Sequence, residues 1–234
     1  MVIAMRRPPL LPTVLTLLSI VFLCGLGSWQ VQRLHWKEGL LAKLDQAYRE
    51  NNPPLLSYAG ISRMAASGDD FAAAQLKGRF TAGPEMLLGM RTWQGQTGYP
   101  ALAVLEMTGG AVLVNRGWVP TDAKKAPLLS PSGPVTVKGI LHRAERANPF
   151  VPANDPAANA WYRWDLAQMA QAADVKNLSP LVLYEQSESG EQTDYPVRKA
   201  LHWGLPNNHL GYAGFWFSMA GVMAVIYFLR FIRK

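Results

Sequence analysis

Residues 10–29 read Leu10-Leu-Pro-Thr-Val-Leu-Thr-Leu-Leu-Ser-Ile-Val-Phe-Leu-Cys-Gly-Leu-Gly-Ser-Trp29. Residues 210–229 read Leu210-Gly-Tyr-Ala-Gly-Phe-Trp-Phe-Ser-Met-Ala-Gly-Val-Met-Ala-Val-Ile-Tyr-Phe-Leu229. Neither stretch holds a charged side chain. A helix rises about 1.5 Å per residue, so each can cross a hydrocarbon core about 30 Å thick. Residues 30–209 then lie on one side of a membrane. Arg6 and Arg7 precede the first span, and Arg230, Arg233 and Lys234 follow the second. Lys and Arg near span ends are retained in the cytoplasm. The expected topology is a cytoplasmic N-terminus (1–9), a first span (10–29), an extracytoplasmic domain (30–209), a second span (210–229) and a cytoplasmic C-terminus (230–234).

The same charges dispose of a nucleic-acid reading. The net charge is +7, but five positive side chains sit at the two tips. What remains between them forms no Lys/Arg stripe and no nucleic-acid motif, so no nucleic-acid partner is expected. A cleaved signal peptide is the competing reading of the first span, with Gly25 and Gly27 at a plausible cleavage spacing. Its apolar run exceeds the roughly 7–15 residues of a signal core, and it continues helix-like through Trp29-Gln-Val-Gln-Arg-Leu-His-Trp-Lys37. Leu23 before Cys24 argues against a lipoprotein. Cys24 is the only cysteine and lies in the span, so the exported domain has no internal disulfide and no cysteine-based metal site. Met86 and Met90 can share a strand face, but two thioethers alone read as core rather than as copper ligands.

The middle segment is long enough for one domain with a real core. Residues 30–50 read as a helix leaving the membrane, with Leu34, Leu40, Leu41, Leu44 and Tyr48 as an apolar stripe, ended by Asn51-Asn-Pro-Pro54. Residues 57–70 read as loop with a short helical turn. Strands are expected over 73–80, 85–93, 99–107, 111–119, 135–141 and 181–186. Gly83-Pro84 and Gly109-Gly110 mark turns, the second as a hairpin signal. Residues 148–159 and 187–194 read as loops and 165–173 as a short helix, with Asp165 at its positive end. The expected fold class is a membrane protein of α+β type: two transmembrane helices flanking an antiparallel β-rich domain curled into a partial barrel.

Four blocks then carry a resemblance: Leu26-Gly-Ser-Trp-Gln-Val-Gln-Arg-Leu-His-Trp-Lys37, Val114-Asn-Arg-Gly-Trp-Val-Pro120, Asn154-Asp-Pro156 with Trp161-Tyr-Arg-Trp-Asp165, and Asn207-Asn-His-Leu-Gly-Tyr212. In this order, between two spans of this orientation, they make the chain similar to the Surfeit locus protein 1 family of cytochrome c oxidase assembly factors. A mitochondrial targeting extension is absent, so the expectation is a bacterial member in the inner membrane, its middle domain periplasmic. The resemblance implies a non-enzymatic role in maturing the catalytic subunit of a haem–copper oxidase. It also implies haem a as a transient cofactor, with the oxidase subunit, haem a synthase and membrane lipids as partners. The residues agree, since no Gly-x-Ser-x-Gly elbow or His-Glu-x-x-His appears. Asp155 and His142 offer at most part of an acid/base pair.

His209 stands immediately before the second span and has two readings. It is an interfacial histidine bonded to water or headgroups, or it is an axial haem ligand through neutral imidazole. Tyr212, Ala213 and Trp216 follow at i+3, i+4 and i+7, offering two aromatic surfaces with a small residue between. The resemblance places a haem-binding histidine at this motif. His35, beside Trp36, is the second ligand candidate; His142 and His202 read as structural. Asn115-Arg116-Gly117-Trp118 reads as a strand ending in a turn. Either it is architectural, or Arg116 pairs with a haem propionate or a partner carboxylate. Asn154-Asp155-Pro156 is turn chemistry. Trp161 and Trp164 are core or partner contacts. Gly25, Gly27, Gly211, Gly214, Ser218 and Gly221 allow close helix approach, between the spans or onto the oxidase. Two alternatives stand beside the haem-handling factor. One is a haem-free chaperone of the oxidase subunit. The other is a membrane-tethered sensor, disfavoured because only five residues follow Leu229.

Overall fold

The computed structural model describes residues 8–122, 130–145, 150–186, 195–198 and 207–233. They form two compact units. One comprises the described residues up to Ala42 together with those from Asn207 on, and the other runs from Lys43 to Arg198.

The first unit is helical. α1 spans Leu10–Arg49 without interruption, so the apolar run and the polar continuation are one helix. Pro12 is tolerated because it falls in the first turn, where its missing N–H has no carbonyl to meet. α4 spans His209–Tyr227 and closes in a π-helical turn, Phe228–Ile232. Both helices are long and apolar enough to cross a membrane. Their large apolar side chains, among them Leu18, Val21, Phe22, Val222 and Ile226, are exposed rather than packed in a core. The helices meet antiparallel through Thr13 with Tyr227, Gly27 with the Phe217 ring, and Gln30 with His209. Gly27 is the small residue this pairing uses: a β-carbon there would come within 2.7 Å of Phe217. Gly25, Gly211, Gly214 and Gly221 face open space.

The second unit is built on β-strands: β1 Leu55–Leu56, β2 Ala72–Phe80, β3 Met86–Leu88, β4 Arg91–Trp93, β5 Gln96–Met107, β6 Gly110–Pro120, β7 Pro134–Arg143, β8 Ala160–Trp161 and β9 Leu178–Glu185. Five of them close a ring in the order β2-β7-β9-β6-β5, returning to β2. The closure is a short antiparallel contact, Arg79 against Glu106 and Phe80 against Leu105. Gly78 makes it possible, since a β-carbon there would lie 2.2 Å from the Glu106 carbonyl oxygen. The expected partial, antiparallel sheet is therefore corrected on two counts. The barrel is closed, and β6 pairs with β9 in parallel, as do β1 with β2 and β3 with β8. Parallel pairing of β6 and β9 was not legible because their partners are remote in sequence.

Closure also explains the composition of the central strands. Ala103 and Leu105 of β5, Val112 and Val114 of β6, and Leu181 and Leu183 of β9 point to one core with Leu76, Leu141 and Ile61. The alternating residues Leu102, Val104, Leu113 and Val182 point to a second core with Met86, Trp161, Trp164 and Met169. Strands buried on both faces read as continuous apolar runs. α2, Tyr58–Ser67, supplies Ile61 to the first core; α3, Leu166–Ala172, supplies Met169 to the second. α2 is a full helix where only a turn was expected. Ser57 caps it by accepting the Gly60 N–H at 3.3 Å, and Gly68 ends it in the left-handed conformation. Its Gly60 and serines dilute helix propensity, which hid it. Asp165 caps α3 as expected, accepting the Gln168 N–H at 3.0 Å. Leu44 and Ala47, on the last turns of α1, pack on Ile140 of β7. Residues 85–93, expected as one strand, are two: Met86 is buried in the core while Met90 is 63% exposed, so the two thioethers do not share a face.

Candidate functional site

Two clusters emerge, one in each unit. In the helical unit, His209 opens α4, and its Nδ1 lies 2.7 Å from Oε1 of Gln30 on α1. With the amide oxygen facing the ring, Nδ1–H donates, and in the neutral imidazole the lone pair is then on Nε2. Among the described residues Nε2 meets no protein partner. A shallow apolar depression runs along the first two turns of α4, lined by Asn208, Gly211, Tyr212, Phe215 and Trp216. These positions recur at helical spacing and form one face. Phe215 and Trp216 meet edge to face at 5.3 Å. The expected small residue between two aromatics is corrected in identity: Ala213 is 2% exposed, on the face turned away, and Gly211 takes its place. Ala213 was misassigned because it lies on the side of α4 that carries Phe217, toward α1.

An imidazole nitrogen without a protein partner among the described residues, on the helix that carries the aromatic side chains of Tyr212 and Trp216, is chemically able to hold a haem iron. His35 does not join this set. It lies five residues beyond Gln30 on α1, about 140° around the helix at 100° per residue. Its Nδ1 stands 3.4 Å from Glu38 on an exposed face.

In the barrel, Arg116 is buried and already paired. Its guanidinium bonds Glu85 and stands 3.4 Å from Glu185, which Arg198 engages at 2.8 Å. Ser130 donates to Glu85 at 3.0 Å, and Arg116 lies over the Phe80 ring at 5.5 Å. Two guanidiniums thus meet two carboxylates. Burial pushes the Glu185 carboxyl above its ordinary range, although Arg198 and Arg116 pull it down. Of the two readings of Arg116, the pairing with this chain's own carboxylates matches the architectural one rather than a propionate or partner carboxylate. The turn expected at Asn115-Arg116-Gly117-Trp118 is likewise a bulge inside β6. Ala101 of β5 opposes Gly117 and Leu102 opposes Asn115, leaving Arg116 as the extra residue, which turns it toward Glu85. Gly117, at φ +135°, brings β6 against the segment around Val197, where a β-carbon would lie 2.5 Å from the Val197 carbonyl oxygen. Glu85, Glu185 and Arg198 were not anticipated. The available signal was weak: a lone carboxylate beside an apolar run, as in Glu85-Met-Leu-Leu and Leu-Val-Leu-Tyr-Glu185.

Asp155 and His142 are not an acid/base pair. His142 Nδ1 lies 2.7 Å from Asp70 and its ring stacks on Phe71 at 4.3 Å, so it is a satisfied structural histidine. Asp155 closes the expected turn by accepting the Ala158 N–H at 3.2 Å. Asn154 pins the same loop, accepting from Tyr162 and Arg163 and donating to Gln168. Trp161 and Trp164 are core. Among the described residues no cluster of three or more His, Cys, Asp or Glu could hold a metal ion. His202 lies outside them.

A family model described as the SURF1 family matches residues 17–221, from within α1 to within α4. The chain belongs to the SURF1 family. It is 31% identical to a SURF1-like protein of Monosiga brevicollis over 92% of this chain and 86% of that one. It is 27% identical to Surfeit locus protein 1 of Xenopus tropicalis over 94% and 76%, and 26% identical to that of Homo sapiens over 89% and 74%. In this SURF1-family chain, the four quoted blocks fall on α1 around Gln30, on the β6 bulge, on the Asn154 loop with β8, and at the start of α4. The first and fourth thus contribute the two partners of the Gln30–His209 hydrogen bond.

Proposed function

We propose that this chain assists assembly of a haem–copper oxidase by holding haem a, as cargo, at His209 for delivery to the catalytic subunit. The observation that carries the proposal is the His209 imidazole, whose Nε2 meets no protein partner among the described residues and which opens the helix that carries the aromatic depression. Family membership supports the oxidase, since the SURF1 family is known for cytochrome c oxidase assembly. The two apolar helices support a membrane location, and Arg6, Arg7, Arg230, Arg233 and Lys234 support both termini on its inner face. His209 would hold the iron through its imidazole, and Tyr212 and Trp216 would offer apolar contact to the haem. Haem a synthase is the proposed source, and the nascent oxidase subunit the recipient.

Purified full-length protein from cells that make haem a should show a haem absorbance spectrum. His209→Ala should abolish or strongly weaken haem binding while the protein still inserts and folds. Losing an interfacial hydrogen bond alone would cost only about 0.5–1.5 kcal/mol of stability. Unchanged affinity and an unchanged Soret band in the variant would remove His209 as ligand. A haem-free chaperone would then be favoured, with the Gln30–His209 bond serving only to pair the helices.

A further inference from the structure

Hydrogen bonds between paired apolar helices often do nothing more than hold the helices together. The bond between Gln30 and His209 has a second consequence, because it reaches the imidazole at the nitrogen opposite the one a metal would take. Oε1 of Gln30 is 2.7 Å from Nδ1. An acceptor there selects the tautomer with Nδ1–H, leaves the lone pair on Nε2 and fixes the ring plane. Gln30 itself is held on α1, three residues beyond Gly27, which meets Phe217 of the same partner helix. The acceptor and the imidazole are therefore placed by one antiparallel contact.

We infer that Gln30 is a positioning residue for iron ligation by His209, a step that rests on the proposed haem-holding role. The choice of an amide has chemical content. A carboxylate accepting from Nδ1–H would push more electron density onto Nε2 and strengthen the iron bond. It would also place an uncompensated charge beside two apolar helices. A neutral acceptor orients the ring with a weaker push. That suits a ligand that must release its cargo.

The test uses the full chain in detergent, titrated with iron protoporphyrin IX and with haem a, and followed by resonance Raman spectroscopy of the iron–imidazole stretch. Gln30→Leu should weaken binding by about ten- to a hundredfold and lower the stretching frequency. Gln30→Glu should restore or exceed the wild-type affinity and raise the frequency. Wild-type affinity and frequency in Gln30→Leu would overturn the inference and leave the bond as helix pairing. Should Gln30→Leu fail to fold, judged by its helical circular dichroism, Gln30→Glu decides alone. An unchanged iron–imidazole frequency in that variant overturns the inference. Failure of the underlying proposal looks different: the wild type takes up no haem, or His209→Ala binds as the wild type does, and the inference falls with it.

Discussion

Arg116 shows how one residue is set by chemistry at several positions. Gly117 allows the bulge, the bulge turns the guanidinium inward, and Glu85 and Glu185 meet it there. Its side chain is only 9% exposed, so solvent does little to soften the loss of a partner. Arg116→Met should destabilise the barrel by about 3–5 kcal/mol, because it strands buried carboxylates. Chemical denaturation followed by tryptophan fluorescence would read this, and a loss below about 1 kcal/mol would show that the pair is dispensable. Glu185 makes a separate prediction. Its carboxyl is raised above its ordinary value of 4.5, chiefly by burial, so the folded state binds this proton more tightly than the unfolded chain does. Stability from this group is then fully present below 4.5 and falls as pH rises from there through the folded value. Glu185→Gln should remove that fall, seen as the difference between wild-type and variant unfolding curves across acid pH. Parallel curves would contradict the assignment.

At the level of elements, β6 is the strand on which the barrel depends. It pairs with β5 along its whole length, runs parallel to β9, and through Trp118 bridges to Val197. Gly117→Ala should disturb all of this. The backbone sits at φ +135°, and the new methyl would meet the Val197 carbonyl. A cost of at least about 1–2 kcal/mol follows from the backbone conformation alone. Faster hydrogen exchange at the Trp118 and Val197 amides, which exchange hydrogen bonds of 2.8 Å, should accompany it. Unchanged protection at both amides would mean that the bridge tolerates the side chain.

For the whole molecule, the arrangement of charge around the two apolar helices predicts topology. Reporter fusions near Gly133 and after Lys234 should score on opposite sides of the membrane, because cationic residues cluster at the two tips. Matching signals would refute the two-span topology, and with it the placement of His209 at a membrane boundary.

What the sequence determined by itself was everything carried by local periodicity, composition or a short motif. The two long helices follow from uninterrupted apolar runs. The β5–β6 hairpin follows from Gly109-Gly110 between apolar stretches, although the turn falls one residue earlier, with Gly110 already paired to Met107, and α3 follows from Asp165 before its first turn. His209 was legible as a candidate because a lone imidazole at the edge of a charge-free run is conspicuous. The tertiary structure alone decided what depends on residues distant in the chain. It closed the barrel through one short contact of β2 with β5, put β9 parallel to β6, and gave Arg116 to Glu85 and Glu185. It also brought Gln30 to His209, 179 residues away. Hydrophobic patterning says which face of a strand or helix is buried, but not against which partner. That choice is made by packing and by pairing of buried polar groups, both of which exist only once the chain has folded.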